Sequence, residues 1–169
     1  MCGIVGFVGE TNGVEFLIDG LSSLEYRGYD SAGIAGVVNG EAKVTKAVGR
    51  IKNLEALIPD DLHIELGIGH TRWATHGGVN VTNSHPHQSF NKRFVLVHNG
   101  VIENFQELKD RFFKGVDLVS ETDTEVIVQL IQVYSDRGMS TKEAFKKAVS
   151  KLQGSYALCL IDTKESDTL

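Results

Sequence analysis

Two β-rich runs joined by Asn39-Gly40 limit the fold of this chain more than any other feature of its sequence. The pair predicts a hairpin between strands at Gly33–Val38 and Lys43–Val48, because both turn residues tolerate the positive φ angles of a two-residue turn. A hairpin of this kind commits the chain to an antiparallel sheet. Apolar runs predict further strands at Gly3–Val8, about Glu65 to Thr71, Phe94–Val97 and Tyr156–Ile161.

Helical spacing of apolar residues and two helix-start signatures indicate the remaining elements. The spacing predicts helices over Val14–Leu24 and Asn104–Phe112. The stretch TDTEVIVQLIQVYSD predicts another, which begins at a capping box of Thr122 and Glu125. A second such box, Ser140 with Glu143, precedes a helix predicted over Thr141–Leu152. Strands and helices in this order are typical of an α+β fold with helices stacked on antiparallel sheets.

The composition is that of a single folded domain. Its 169 residues, 41% of them hydrophobic, can bury a core without disulfides or metal ions. No apolar run reaches the about 18 residues that a membrane helix needs. The 17 basic residues are scattered and the net charge is −5, which argues against a nucleic-acid partner. With no secretory signal, and with Cys2 and Cys159 far apart, we expect a cytoplasmic protein without a disulfide framework.

Cys2 is the candidate nucleophile because it directly follows Met1. Once Met1 is removed, one residue carries both the thiol and a free α-amine of pKa roughly 7.7 to 8.0, which is a usable base near neutral pH. The arrangement parallels enzymes with an N-terminal threonine, whose own amine activates the side chain. Taken alone, Cys2 favours a small apolar residue at the start of a strand over a catalytic residue.

Acyl transfer also needs donors for a tetrahedral oxyanion. The stretch VHNGVIEN offers the side-chain amide of Asn99 and the backbone N–H of Gly100. On local sequence alone, this Asn-Gly pair favours a type I′ hairpin turn with both residues at positive φ. The two interpretations are compatible, because such a turn presents N–H groups to a ligand.

Polar residues in GHTRWATHG and SETDTE are candidates for binding a charged substrate. Arg72 suits a carboxylate in a bidentate pair, with Thr75 and His76 adding hydrogen bonds, although alone it favours a surface arginine. Asp123 is either part of a helix start or the counter-ion of a substrate ammonium group. Trp73, the single tryptophan, favours a core position.

The histidines raise a metal site as a rival interpretation. Five of the six lie within 29 residues: His70, His76, His85, His87 and His98. Neither an HExxH nor a CxxC pattern accompanies them, and the two cysteines are not spaced for zinc. We therefore favour a site that needs neither metal nor cofactor.

Motifs along nearly the whole chain resemble those of one enzyme family. They are MCGIVG, LEYRGYDSAGIA, GHTRWATHG, HPH, VHNGVIEN, SETDTEVI and GSYAL. Together they are similar to the N-terminal glutaminase domains of glucosamine-6-phosphate synthases, the isomerising glutamine–fructose-6-phosphate aminotransferases. Other class II glutamine amidotransferases share the first cysteine, the arginine-glycine loop and the Asn-Gly pair, but differ around RGYDSAG, HTRWATHG and SETDTE.

The resemblance implies an N-terminal nucleophile hydrolase fold, a four-layer αββα sandwich. It implies that Cys2, with its own α-amine as base, attacks the side-chain amide of L-glutamine, so that ammonia and then glutamate are released through a thioester. It implies that Asn99 and Gly100 form the oxyanion hole. It implies that Arg72, Thr75 and His76 bind the α-carboxylate of glutamine and that Asp123 pairs with the α-ammonium. It also implies that Trp73 gates the ammonia path, and that the nucleophile is supported by Arg27, His85 and His98.

The resemblance also implies a larger protein. We expect residues 1–169 to be a glutaminase domain that is incomplete at its C-terminus. The isomerase domains, which use ammonia and fructose 6-phosphate to make glucosamine 6-phosphate, are expected to be absent from these residues. The full-length enzyme is expected to be a homodimer. A retained Met1 turns the Cys2 amine into an amide, so an unprocessed chain is expected to be inactive. The alternatives are another class II amidotransferase and a non-catalytic glutamine-binding fragment.

Overall fold

The computed structural model describes residues 2–165 and 168–169. Seven strands in this part of the chain form two antiparallel sheets. The first sheet has the order β1-β4-β2-β3 and consists of Gly3–Val8 (β1), Ser31–Val38 (β2), Glu41–Val48 (β3) and Leu66–Arg72 (β4). The second has the order β5-β6-β7 and consists of His87–Gln88 (β5), Phe94–Ile102 (β6) and Gly154–Asp162 (β7).

Helices cover the outer face of each sheet. They are Val14–Leu24 (α1), Ile51–Glu55 (α2), Phe105–Phe112 (α3), Asp123–Asp136 (α4) and Thr141–Val149 (α5). Leucines and isoleucines of α1 and α2 pack on the first sheet, and α3, α4 and α5 pack on the second. Ile68 of β4 and Val97 of β6 belong to a third buried cluster, between the sheets. The layers therefore run helix, sheet, sheet, helix, which confirms the expected α+β class.

The predicted hairpin is confirmed. Strands β2 and β3 pair along their whole length, from Val38 opposite Glu41 to Ser31 opposite Val48. Asn39 and Gly40 make the turn with φ angles of 52° and 78°. The strands extend two residues beyond their predicted starts. Strand β1 and helix α1 match their predicted bounds, and α5 ends at Val149 rather than Leu152.

Of the two predicted capping boxes, one is complete. At the start of α5, Ser140 accepts the N–H of Glu143, and the Glu143 carboxylate accepts the N–H of Ser140 at 2.9 Å. At the start of α4, Thr122 accepts the N–H of Glu125 at 3.3 Å, but the predicted reciprocal bond is wrong. The Glu125 carboxylate instead accepts the N–H of Ser120 at 2.5 Å, because the preceding loop folds over the helix end.

The prediction of a hairpin turn at Asn99-Gly100 is wrong. Strand β6 continues to Ile102, with Asn99 opposite Ala157 and Gly100 opposite Tyr156 on β7. A partner strand more than fifty residues later keeps the segment extended, and local sequence does not reveal that strand. Of the pair, only Gly100 has a positive φ, 124°. A Cβ there would lie 2.2 Å from the carbonyl oxygen of Ser155, so β7 leaves room only for glycine.

The short elements α2 and β5 were not predicted. Helix α2 has five residues, of which Ile51 and Leu54 are buried, and β5 has two residues beside Val95 and Leu96. Both are too short for periodicity to identify. No helix in the described ranges combines the length and apolar character needed to span a membrane.

Candidate active site

Two antiparallel pairings bring distant sequence segments to one small cavity. Because Gly3 of β1 pairs with Thr71 of β4, Cys2 lies beside the end of β4, where Trp73 follows. Gly100 of β6, in the second sheet, and Asp123, the first residue of α4, lie at the same place. The cavity has a volume of about 20 Å³ and is lined by Cys2, Arg72, Trp73, Thr75, His76, His85, His98, Gly100, Thr122, Asp123 and Thr124.

The Cys2 thiol is held against the backbone that follows β4. The N–H of Trp73 donates to Sγ at 3.2 Å, and Sγ lies 3.6 Å from the carbonyl oxygen of Trp73. Burial raises the pKa of the Cys2 thiol above its ordinary value, and the bond from Trp73 only partly offsets this. At neutral pH the sulfur is therefore a thiol that needs a base to become a nucleophile. Met1, whose removal would free such a base, lies outside the described residues.

Asn99 and Gly100, the predicted oxyanion donors, lie next to Cys2. The Asn99 side-chain amide donates to the carbonyl oxygen of Cys2 at 3.2 Å, and Gly100 lines the cavity. The two residues reach this position on a continuous strand rather than in the hairpin turn predicted from local sequence.

Arg72 is buried, with 3% of its surface exposed, so its interpretation as a surface arginine is wrong. Its Nη2 donates to the carbonyl oxygen of His76 at 2.6 Å, and its Nη1 donates to that of Gly78 at 3.2 Å. The guanidinium thereby orders the loop after β4. Thr75, in the same loop, is exposed and lines the cavity.

Asp123 is a buried carboxylate, 4% exposed, at the first residue of α4. Its Oδ2 accepts the N–H of Ile102 at 2.9 Å. Nδ1 of His76 lies 3.8 Å from Oδ2, and Nδ1 of His98 lies 3.7 Å from Oδ1. The carboxylate therefore faces the cavity and is more than a helix-start residue.

His85 and His98 form a closed hydrogen-bonded cycle with Thr124. The backbone N–H of His98 donates to the ring nitrogen Nδ1 of His85 at 3.3 Å. A neutral His85 therefore carries its proton on Nε2. That nitrogen lies 3.3 Å from Oγ1 of Thr124, which in turn lies 2.9 Å from Nδ1 of His98. Burial lowers the pKa of both histidines. The cycle supports the cavity wall through uncharged rings.

The histidines of the cluster contact one another and neighbouring polar side chains. No group of three or more histidine, cysteine, aspartate or glutamate side chains among the described residues could hold a metal. The rings of His70 and His85 stack at 4.1 Å, and His87 lies 3.1 Å from Oγ1 of Thr122. Burial lowers the pKa of His70 to about 3 and that of His87 well below its ordinary value.

Trp73 and Arg27 lie at the edge of the site. Trp73 is 48% exposed and packs edge-on against Tyr29 at 5.6 Å, so the expectation of a core tryptophan is wrong. Arg27 ends the short 3₁₀ turn Glu25–Arg27. Its Nε is buried without a hydrogen-bond partner in the described part of the chain, and Arg27 does not line the cavity.

Sequence reasoning missed three residues that shape the site. Asp30 accepts the N–H of Ala74 and so holds the loop after β4. Thr124 closes the histidine cycle, and Nε2 of His70 lies 2.8 Å from Oδ1 of Asn99. All three residues lie within the quoted motifs RGYDSAG, GHTRWATHG and SETDTE, but sequence reasoning assigned them none of these roles. For His70 the available signal was its place among polar residues at the end of β4, a strand buried throughout, because buried polar groups need partners.

Comparisons with known proteins show the family of the chain. The family model described as a glutamine amidotransferase domain matches residues 32–169. Along its whole length the chain is 58% identical to the isomerizing glutamine–fructose-6-phosphate aminotransferase of Staphylococcus aureus and 57% identical to that of Listeria monocytogenes. It spans 28% of the length of each of these relatives.

Two solved structures have similar folds. The glutamine phosphoribosylpyrophosphate amidotransferase from B. subtilis, in complex with ADP and GMP, has a TM-score of 0.82 and 26% identity, covering 96% of this chain and 35% of that one. A structure described as the allosteric regulatory enzyme of purine biosynthesis has a TM-score of 0.80 and 27% identity, covering 96% and 36%. These neighbours contain N-terminal nucleophile hydrolase domains, which confirms the expected fold.

Proposed function

Because the chain belongs to the glutamine amidotransferase domain family, we propose that it hydrolyses the side-chain amide of L-glutamine at Cys2. The observation that carries the proposal is the contact of Asn99 with Cys2, in which a side-chain amide donor lies 3.2 Å from the backbone oxygen of the nucleophilic residue. Donors fixed beside a nucleophile are what a tetrahedral oxyanion needs.

The α-amine of Cys2 is the proposed base, once Met1 has been removed. It takes the thiol proton as sulfur attacks the amide carbon of glutamine, and the Asn99 side chain and the Gly100 N–H stabilise the oxyanion. The same amine returns the proton to the leaving nitrogen, which departs as ammonia. Water then attacks the thioester, the C–S bond breaks, glutamate is released, and the thiol is restored.

Charged groups at the other end of the cavity are proposed to bind the amino-acid part of glutamine. In this proposal Arg72, with Thr75 and His76, binds the α-carboxylate, and Asp123 binds the α-ammonium. Both ions are buried, and buried charges form stronger pairs than exposed ones. In this proposal Trp73 gates the path of ammonia, while Arg27, His85 and His98 support the nucleophile.

For the whole protein we propose the activity named for its relatives. Ammonia would pass to fructose 6-phosphate in a cytoplasmic homodimer, and glucosamine 6-phosphate would form on domains outside residues 1–169. The support is the 58% identity to an isomerizing glutamine–fructose-6-phosphate aminotransferase.

The test is release of glutamate from glutamine by the purified full-length protein, with intact mass showing whether Met1 is absent. We expect the processed protein to be active and Cys2→Ala to lower kcat by at least about 1000-fold, since the nucleophile is lost. Cys159→Ala is the matched control, because it removes the other half-buried thiol, away from the cavity. Glutamine binding without turnover by the processed protein would instead indicate a non-catalytic binding domain.

A further inference from the structure

We propose that His70 is a positioning residue which orients the side-chain amide of Asn99, so that its NH₂ group rather than its oxygen faces Cys2. The inference rests on the proposed function, because it concerns the oxyanion donor of that reaction. It adds a residue from β4, on the first sheet, to a donor pair carried by β6 on the second.

The backbone decides which nitrogen of His70 carries the proton. Nε2 lies 3.0 Å from the carbonyl oxygen of His98, which can only accept a hydrogen bond. A neutral His70 must therefore be protonated on Nε2. Nδ1 is buried and has no hydrogen-bond partner in the described part of the chain, so no contact favours the alternative tautomer.

This tautomer in turn decides how the Asn99 amide is turned. Nε2 of His70 also lies 2.8 Å from Oδ1 of Asn99, so its N–H donates to the amide oxygen, which faces His70. The nitrogen then faces the opposite way and donates to the carbonyl oxygen of Cys2 at 3.2 Å. A flipped amide would place two donors against each other at His70 and two acceptors against each other at Cys2.

The surroundings of His70 keep its ring uncharged and in place. The residue is fully buried, its ring stacks on that of His85 at 4.1 Å, and burial lowers its pKa to about 3. A donor that neither titrates nor rotates gives Asn99 one orientation across the neutral pH range. Such preorganisation is what makes an oxyanion donor effective.

The test compares His70→Met, which removes the donor at similar volume, with His70→Gln, whose amide can donate from a similar reach. In the processed full-length protein we expect His70→Met to lower kcat for glutamate release by about 100-fold, as for loss of one oxyanion donor, with KM changed by less than about threefold. His70→Gln should retain kcat to within about tenfold. In an Asn99→Ala background, His70→Met should lower kcat by no more than about twofold further.

Gln129→Met is the matched control for loss of a buried polar side chain. Gln129 also makes two hydrogen bonds, with the N–H of Phe90 at 2.9 Å and the carbonyl oxygen of Gln88 at 3.2 Å, and does not line the cavity. Its variant should lose thermal stability yet keep kcat within about twofold. Unchanged kcat in His70→Met, or an equal loss with and without Asn99, would overturn the inference.

Nitrogen-15 NMR of the parent protein tests the same point without a variant. We expect the His70 ring to be neutral and protonated on Nε2 between pH 6 and 8, and the Nδ1–H tautomer or a charged ring would contradict the inference. Failure of the proposed function is distinguishable, since the parent protein would then release no glutamate. Failure of this inference alone leaves an active parent with an equally active His70→Met variant.

Discussion

The carboxylate of Asp123 connects the cavity to the backbone of β6. One oxygen accepts the N–H of Ile102, on a part of β6 that the short strand β5 does not reach. The other oxygen has no hydrogen bond within the described residues, and Nδ1 of His98 lies 3.7 Å from it. One residue can therefore cap an open sheet edge and still offer an oxygen to a substrate ammonium group.

We expect Asp123→Asn to raise KM for glutamine by about 10-fold to 100-fold, which corresponds to one hydrogen bond to a charged group. The variant keeps an amide oxygen for Ile102, so the fold is retained and kcat should change by less than about threefold. Steady-state kinetics of glutamate release measure both constants.

Glu125→Gln is the control for Asp123→Asn. The Glu125 carboxylate is buried at the same helix end as Asp123, but it accepts the N–H groups of Val119 and Ser120. We expect its KM for glutamine to equal that of the parent. An unchanged KM in Asp123→Asn would refute the ion pair with substrate.

At the scale of elements, a partly buried ion pair of Arg93 with Asp162 joins three segments on the second sheet. Asp162 at the end of β7 accepts hydrogen bonds from Arg93, just before β6, at 2.8 Å and 2.6 Å, and from Thr141 at the start of α5 at 2.6 Å. Burial alone would raise the pKa of Asp162, but these bonds outweigh it and hold the pKa below its ordinary value.

Asp162→Asn should lower the free energy of unfolding at pH 7 by about 2 to 3 kcal/mol, because the bonds lose their charge. The greater free energy of unfolding of the parent over Asp162→Asn is fully present above the unfolded-state pKa of about 3.9. This difference disappears as pH falls through the lower pKa of Asp162 in the native state. Urea unfolding of both proteins at pH 7, 5 and 3 measures this. We expect an equal difference at pH 7 and 5 and a smaller one at pH 3.

The exposed pair of Lys43 with Glu41, at 2.9 Å, is the control. Glu41→Gln should leave unfolding unchanged, since exposed pairs contribute little. A difference between Asp162→Asn and the parent that persisted undiminished at pH 3 would contradict the assignment.

Elements whose signals are local could be predicted from the sequence, and those that depend on distant partners could not. The Asn39-Gly40 turn carries its own backbone preference, and α1 its own periodicity. Asn99-Gly100 has the same local signature, yet pairing with β7 makes it extended strand. The site divides in the same way, because Cys2 is marked by its position whereas His70 acquires a role only when β4 and β6 meet.

At the scale of the whole molecule, the two sheets enclose a group of uncharged histidines. His70, His85 and His87 are buried, and burial lowers the pKa of each below its ordinary value. The native state therefore excludes protons that the unfolded chain binds below about pH 6.5. Unfolding becomes coupled to proton uptake, so stability that is present above this pH is lost as pH falls below it.

We expect the free energy of unfolding to fall by about 1.4 kcal/mol per buried histidine between pH 7.5 and 5.5, or about 4 kcal/mol for the three. His87→Gln removes one of these groups and keeps a side chain that can hydrogen-bond to Thr122. It should reduce the loss by about a third. Urea unfolding of both proteins at the two pH values measures the difference, and an equal loss in both would show that His87 does not contribute to this pH dependence. The direction follows from the fold, because the sheets that bring Cys2 to Asn99 also keep these rings away from water.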